Sequence, residues 1–180
     1  MIEVELKVKI PSPGPVREQL DTKHAEFMGK VHEHDIFYNA PHRDFGVTDE
    51  AVRVRYTGDR AVVTYKGPKI KKFGLKAREE LNFGVESGGT FETMLLRLGF
   101  TKTAEVNKWR ENYRLGNATI SLDDVDGLGT FAEIEVIAES DTDNPTVQIE
   151  KIAKEIGVEG EPILESYLEL LLTKKTKGQS

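Results

Sequence analysis

The chain opens on a strict alternation in which Ile2, Val4, Leu6, Val8 and Ile10 are aliphatic while Glu3, Glu5, Lys7 and Lys9 are charged. A period of two predicts a strand with two unlike faces. Pro11, Pro13, Gly14 and Pro15 end it, and Val16, Leu20, Phe27 and Met28 then recur at roughly helical spacing, predicting a short amphipathic helix. Val31 to Asn39 reads as a second strand and residues 40–46 as a loop. Glu50 to Thr57 and Arg60 to Lys66 flank Gly58-Asp59, a hairpin signal. Leu75 to Val85 predicts a further strand, and Thr90 to Leu98 a helix closed by Gly99. Strand-like runs follow over Phe100 to Val106, Asn107 to Leu115, Ala118 to Val125 and Thr130 to Ala138. Helices over Pro145 to Ile156 and Ile163 to Thr173 finish a single domain of residues 1–173, and residues 174–180 read as a flexible C-terminal tail.

Roughly eight strands with helices between them suit an α+β architecture, an antiparallel β-barrel with helices packed outside. One alternating strand with a charged face ordinarily belongs to a one-sided sheet with that face in water. Here six strands repeat the pattern as Glu3-x-Glu5-x-Lys7, Arg53-x-Arg55, Lys66, Arg78-x-Glu80, Lys108-x-Arg110 and Glu133-x-Glu135, with little Thr, Ser or Gln mixed in. The aliphatic faces then belong under the helices and the charged faces line a lumen.

Residues i and i+2 of a strand point the same way about 7 Å apart, so Glu3 with Glu5, and Glu133 with Glu135, each present two carboxylates in one direction. At an effective dielectric near 20, two unit charges 4 Å apart repel by about 4 kcal/mol, so converging carboxylates need cations or protons. Hard divalent ions, Mg²⁺ or Mn²⁺, meet that need with oxygen ligands. Lys7, Arg53, Arg55, Lys66, Arg78, Lys108 and Arg110 form a cationic wall suited to a polyanion. A triphosphate accompanied by metal satisfies both halves.

Composition narrows the alternatives. Among 180 residues, Lys+Arg number 25 against 31 Asp+Glu, a formal net charge of −6, which argues against nucleic acid as a partner. No apolar run approaches the roughly 20 residues that cross a bilayer, and the N-terminus lacks the pattern of a secretory signal, so the chain reads as a soluble cytoplasmic protein with no membrane partner. The absence of Cys removes thiolate nucleophiles and cysteine-held metals. There is no P-loop, because Gly127-Leu128-Gly129 lacks the following Gly-Lys-Ser/Thr. His32-Glu33-His34-Asp35 has the look of a zinc cluster, but on a strand the histidines point away from the acids. Ser121 and Ser166 lack a His partner for acyl transfer, and Trp109, between Lys108 and Arg110, is expected to face the core.

The ordered set of motifs resembles the CYTH superfamily, the triphosphate tunnel metalloenzymes, which includes class IV adenylyl cyclases and thiamine triphosphatases. Glu3-x-Glu5-x-Lys7 looks like its N-terminal signature, Ala51-Val-Arg-Val-Arg55 like its Leu-Arg-x-Arg strand, and Thr64-Tyr-Lys-Gly67 like its Lys-Gly strand end. Arg78-Glu-Glu80, Lys108-Trp-Arg110 and the run from Leu122 to Glu135 resemble the later strands, and Ser166 to Leu171 the closing helix. The resemblance implies an eight-stranded tunnel with Glu3, Glu5, Asp123, Glu133 and Glu135 on metal and in catalysis, and with Lys7, which also counts among the catalytic residues, Arg53, Arg55, Lys66, Arg78, Lys108 and Arg110 on phosphates. Asp123 enters as a further ligand or as a group orienting water. Glu80 is divided between the site and a salt bridge to a basic neighbour; Lys9 falls at the tunnel mouth, and the basic loop of residues 68–73 has no set family role. The Leu122 to Glu135 run looks more like the cyclase branch, which converts ATP to cyclic AMP and pyrophosphate. A phosphohydrolase acting on thiamine triphosphate or inorganic tripolyphosphate is the alternative, and a non-catalytic polyphosphate-binding module a third reading. Cyclases of this group suggest a homodimer.

Overall fold

The computed structural model describes residues 2–70, 75–138 and 144–177. Its eight strands are β1 (Ile2–Lys9), β2 (Glu26–Asn39), β3 (Ala51–Thr57), β4 (Arg60–Lys66), β5 (Lys76–Val85), β6 (Thr101–Leu115), β7 (Ala118–Val125) and β8 (Gly129–Ala138). They close into an antiparallel barrel in the order β1-β5-β4-β3-β2-β6-β7-β8. Five described helices accompany them: α1 (Gly14–Thr22), α2 (Phe45–Thr48), α3 (Gly88–Arg97), α4 (Pro145–Glu155) and α5 (Tyr167–Lys177). None is long and apolar enough to cross a membrane.

The aliphatic faces lie outside the barrel, under helices. Val4, Leu6 and Val8 of β1, Ile120 and Leu122 of β7 and Ile134 of β8 pack beneath Val16 and Leu20 of α1 and beneath Ile149, Ile152 and Ala153 of α4, followed by Ile156. Burying one such aliphatic side chain contributes roughly 1.5–3 kcal/mol, so these faces bind the helices to the barrel and leave the charged faces inside. Helix starts follow local chemistry. The Ser87 side chain accepts from the Thr90 amide at the head of α3, and Asn144 accepts from Val147 before Pro145 opens α4. On the opposite wall α3 covers Ile36, Val54 and Val63 with Leu95 and Phe91. It is pinned by Glu92, whose two carboxylate oxygens accept from the hydroxyls of Tyr38 and Tyr56.

Several elements differ from the sequence expectation. Phe27 and Met28 belong to β2 rather than to the first helix, because the chain reverses at His24, which adopts φ 56°, and Phe27 packs 5.1 Å from the Tyr113 ring of β6. The two runs from Phe100 to Leu115 form one strand, paired along its length with β2. Within the predicted 40–46 loop, Asp44 caps the single turn of α2. Trp109 points outward but remains 49% exposed, with His32 and the Lys30 ammonium lying against its ring. Residues 163–166 are not helical: the Ile163 amide donates to the Lys7 carbonyl at 2.8 Å, and α5 begins at Tyr167 and runs on to Lys177. Residues 174–177 are therefore helix rather than tail, and 178–180 fall outside the described residues, as do Lys71 and Lys72 of the basic loop.

Candidate active site

The faces that carry Glu3 of β1, Asp35 of β2, Arg53 of β3, Lys66 of β4, Arg78 of β5, Lys108 of β6 and Glu133 of β8 look onto a cavity of about 620 Å³. Lys7, Arg53, Arg55, Lys66, Lys76, Arg78, Lys108 and Arg110 all line it, together with Glu3, Glu5, Glu33, Asp35, Glu80, Glu133 and Glu135. The structure thus brings the sequence-predicted cations and both Glu-x-Glu pairs into one space. The lumen is not charged throughout. At one end Phe37, Val106, Val125 and Phe131 meet Tyr167, with Leu168 and Leu171 of α5 packed against them.

The register explains the acidic wall. β1 and β8 are neighbours, with Glu5 opposite Glu135 and Lys7 opposite Glu133, while Glu5 also stands opposite Lys76 of β5. Lys7 is 2% exposed. Its ammonium lies 3.3 Å from Glu5 and 3.4 Å from Glu133, donates to the Glu165 carbonyl at 3.0 Å and sits 4.4 Å from the Tyr167 ring centre. A buried ammonium requires such partners, because desolvation costs several kcal/mol. Lys76 lies 3.2 Å from Glu5, and Arg110 pairs with Glu133.

Charge is unevenly satisfied along this wall. Burial and the facing carboxylates of Glu3, Glu5 and Glu133 push the Glu135 carboxyl up to about 8, and among the described residues no cation lies within ion-pair distance of it. Burial and the neighbouring Glu80 push Glu3 up to about 7. Burial would also raise Glu133, but Arg110 and Lys7 outweigh it and hold this group well below the ordinary carboxylate range. Two carboxyls short of cations beside two that have them form a hard-oxygen donor set suited to a divalent ion. Among the described residues no three acids yet converge as a cage, because Glu5 and Glu133 are turned toward lysine and arginine.

The opposite wall carries the phosphate-binding candidates. Arg53 donates to Thr64 at 3.0 Å, and Thr64 donates to Asn82 at 2.7 Å. Lys66 pairs with Glu80, which gives Glu80 the salt-bridge role. Arg78 donates to Asp49 at 3.2 Å. The Nε atoms of Arg53 and Arg78 are buried without a hydrogen-bond partner, an open donor on each side chain for an anionic guest. Burial, with Arg53 nearby, brings the Lys66 ammonium down to about 8, and burial with Arg110 and Arg55 does the same for Lys108. An arriving polyanion stabilises the charged form of both.

Asp123, which the resemblance implied as a further ligand or a group orienting water, is joined to Arg110 and α5. Its oxygens accept from Arg110 at 2.7 and 2.5 Å and from the Tyr167 hydroxyl at 2.8 Å, so it anchors Arg110 to α5. Lys9 is exposed and donates to the Leu128 carbonyl at 3.1 Å, with its ammonium 5.7 Å from the Phe131 ring centre. The sequence reading missed Glu33, Asp35, Lys76 and Tyr167. Lys76 shares the two-residue spacing of Arg78 and Glu80, and Glu33 and Asp35 repeat that of Glu3 and Glu5, so the same periodicity could have found them. Tyr167 carries no such signal, because its place depends on where α5 docks.

A closed eight-stranded barrel whose lumen pairs acidic strands with a basic wall defines the class, and sequence comparison agrees. The CYTH domain model matches residues 1–167, and the chain belongs to that family. The chain is 39% identical over 173 residues to a Methanocaldococcus jannaschii protein named Putative adenylate cyclase MJ0240, covering 94% of this chain and 98% of that one. The structure of the PH1819 protein of Pyrococcus horikoshii superposes with a TM-score of 0.85 at 40% identity, covering 96% and 99% of the two chains. The Hippeastrum protein HpAC1, described as having a dominant triphosphatase activity, shares the fold at 20% identity, with a TM-score of 0.69 and 96% of each chain covered.

Proposed function

We propose that this CYTH protein is a divalent-metal-dependent adenylyl cyclase of class IV type, converting ATP to cyclic AMP and pyrophosphate inside the barrel. The observation that carries the reading is the facing pair of Glu-x-Glu strands, Glu3 with Glu5 and Glu133 with Glu135, beside eight lumenal cations. Glu3, Glu5, Glu133 and Glu135 are the residues that would hold Mg²⁺ or Mn²⁺, an ion whose chemistry is to polarise a phosphoryl oxygen and offset charge on the leaving group. In cyclisation the ribose 3′-hydroxyl gives up its proton to water as its oxygen forms a bond to the α-phosphorus and the bond from that phosphorus to the bridging oxygen of pyrophosphate breaks. Arg53, Arg55, Lys66, Arg78, Lys108 and Arg110 grip the triphosphate and stabilise the growing charge on pyrophosphate. Lys7, fixed between Glu5 and Glu133, touches both Glu-x-Glu strands and bridges the acidic wall to the phosphates.

The name of the relative at 39% identity and the Leu122 to Glu135 run favour cyclisation. A triphosphate phosphohydrolase is the second reading, since the same side chains would serve water attacking the terminal phosphorus, and HpAC1 shows that the fold accommodates a triphosphatase. Product analysis with ATP, thiamine triphosphate and tripolyphosphate, each with Mg²⁺ or Mn²⁺, separates them. Cyclic AMP and pyrophosphate are expected from ATP. Orthophosphate and ADP with no cyclic nucleotide under either metal would overturn the cyclase in favour of the hydrolase.

A further inference from the structure

The His32-Glu33-His34-Asp35 segment sends its two acids into the basic half of the tunnel, where neither serves the acidic wall. Asp35 accepts from Arg55 through both oxygens, at 2.6 and 2.7 Å, and lies 3.7 Å from Arg53 and 3.9 Å from Lys108. Glu33 stands 3.0 Å from Arg55, 3.0 Å from Lys108 and 3.9 Å from Arg110. Two carboxylates, 6% and 3% exposed as residues, are thus inserted among four cations of the phosphate-binding wall. For simple capture of a polyanion this arrangement is counterproductive, since every charge on the guest is repelled by both acids at short range in a poorly screened space.

Resting on the reading that a triphosphate occupies this tunnel, we propose that Glu33 and Asp35 are specificity-determining residues that cap the negative charge the tunnel accepts, favouring an organic triphosphate over inorganic tripolyphosphate. The chemical difference between the guests is one charge. An organic triphosphate has one terminal phosphate able to ionise twice, whereas tripolyphosphate has two. With the extra charge beside Arg55 and Lys108, where Glu33 and Asp35 already occupy the cations, the acids penalise it specifically. Selectivity built from an unfavourable element against the competitor is a general strategy of recognition sites.

The test is calorimetric titration of the full chain with α,β-methylene-ATP and with tripolyphosphate, metal chelated, across a series of salt concentrations. Glu33→Gln is the first variant, because Asp35 keeps its two-pronged contact to Arg55, and Asp35→Asn is the second; melting temperature is followed in both. The wild type is expected to bind the ATP analogue at least as tightly as tripolyphosphate. Each variant should shift the ratio of the two affinities toward tripolyphosphate by on the order of tenfold, with a steeper salt dependence for both guests. A fall in both affinities with an unchanged ratio in a folded variant would show that the acids only position Arg55 and Lys108, and would overturn the proposal. A wild type that already binds tripolyphosphate tenfold more tightly than the ATP analogue would overturn it without any variant. A wild type that binds neither guest, with metal chelated or with Ca²⁺ supplied, would overturn the triphosphate reading as well.

Discussion

Glu135 has been left as the acid with the least compensation, and its substitution separates fold from function. Its carboxyl titrates near 8 when folded against an ordinary value of 4.5. Below 4.5 it is protonated in both states; between 4.5 and about 8 the unfolded chain has lost a proton that the folded chain retains, so stability falls as pH rises through that window. Glu135→Gln removes this slope. In metal-free protein at pH 8 its melting temperature should rise by roughly 2–4 °C for each ~1 kcal/mol of repulsion relieved, while most turnover is lost at saturating and at limiting Mg²⁺. Unchanged turnover under both conditions would exclude Glu135 from the metal set. Across the lumen, Arg55→Ala and Lys66→Ala each remove a charge-assisted contact of roughly 1.5–3 kcal/mol, so triphosphate should bind about ten- to a hundredfold more weakly. Lys174, whose ammonium donates to the Gly127 carbonyl outside the tunnel, is the control. Equal, small losses at all three positions would mean that Arg55 and Lys66 do not touch the guest.

At the scale of elements, α3 matters because its docking fixes β2 and β3, the strands that carry Asp35 and Arg55. Gly88 opens the helix against the Tyr56 ring: a Cβ there would lie 2.5 Å from the Tyr56 hydroxyl oxygen, the atom that Glu92 holds. Gly88→Ala must displace that ring, so we expect a loss of ~1–3 kcal/mol by denaturant unfolding; no change in the unfolding midpoint would mean that the helix head shifts freely. This juxtaposition was invisible in the sequence, since nothing in a Ser-Gly-Gly turn signals a tyrosine 32 residues earlier. What was legible was periodic. The alternation in β1, β3 and β8 placed Glu3, Glu5, Arg53, Arg55, Glu133 and Glu135 on their observed faces, because a period of two assigns a side without tertiary information. The pattern misled at Phe27 and Met28, where helical spacing ran across a chain reversal, and at Trp109, whose outward ring stays half exposed.

For the whole molecule, the two Glu-x-Glu strands and the basic motifs sufficed to anticipate a charged barrel, but not that its charges would already be joined. Glu5 and Glu133 rest on Lys7, Glu80 on Lys66, and Glu33 and Asp35 on Arg55 and Lys108. That internal pairing makes the two guests of the tunnel depend on each other. A triphosphate arriving alone must draw the cations from their acids, and a divalent ion arriving alone must draw the acids from their cations; when both arrive, each takes the partner the other has released. The two binding events should therefore be positively coupled, and because binding free energies close a thermodynamic cycle, the factor by which metal tightens triphosphate must equal the factor by which triphosphate tightens metal. Titrating each guest with and without the other, using a triphosphate analogue that does not turn over, should give equal factors well above one; a factor of one in both directions would mean that the ion pairs of the empty barrel survive binding intact.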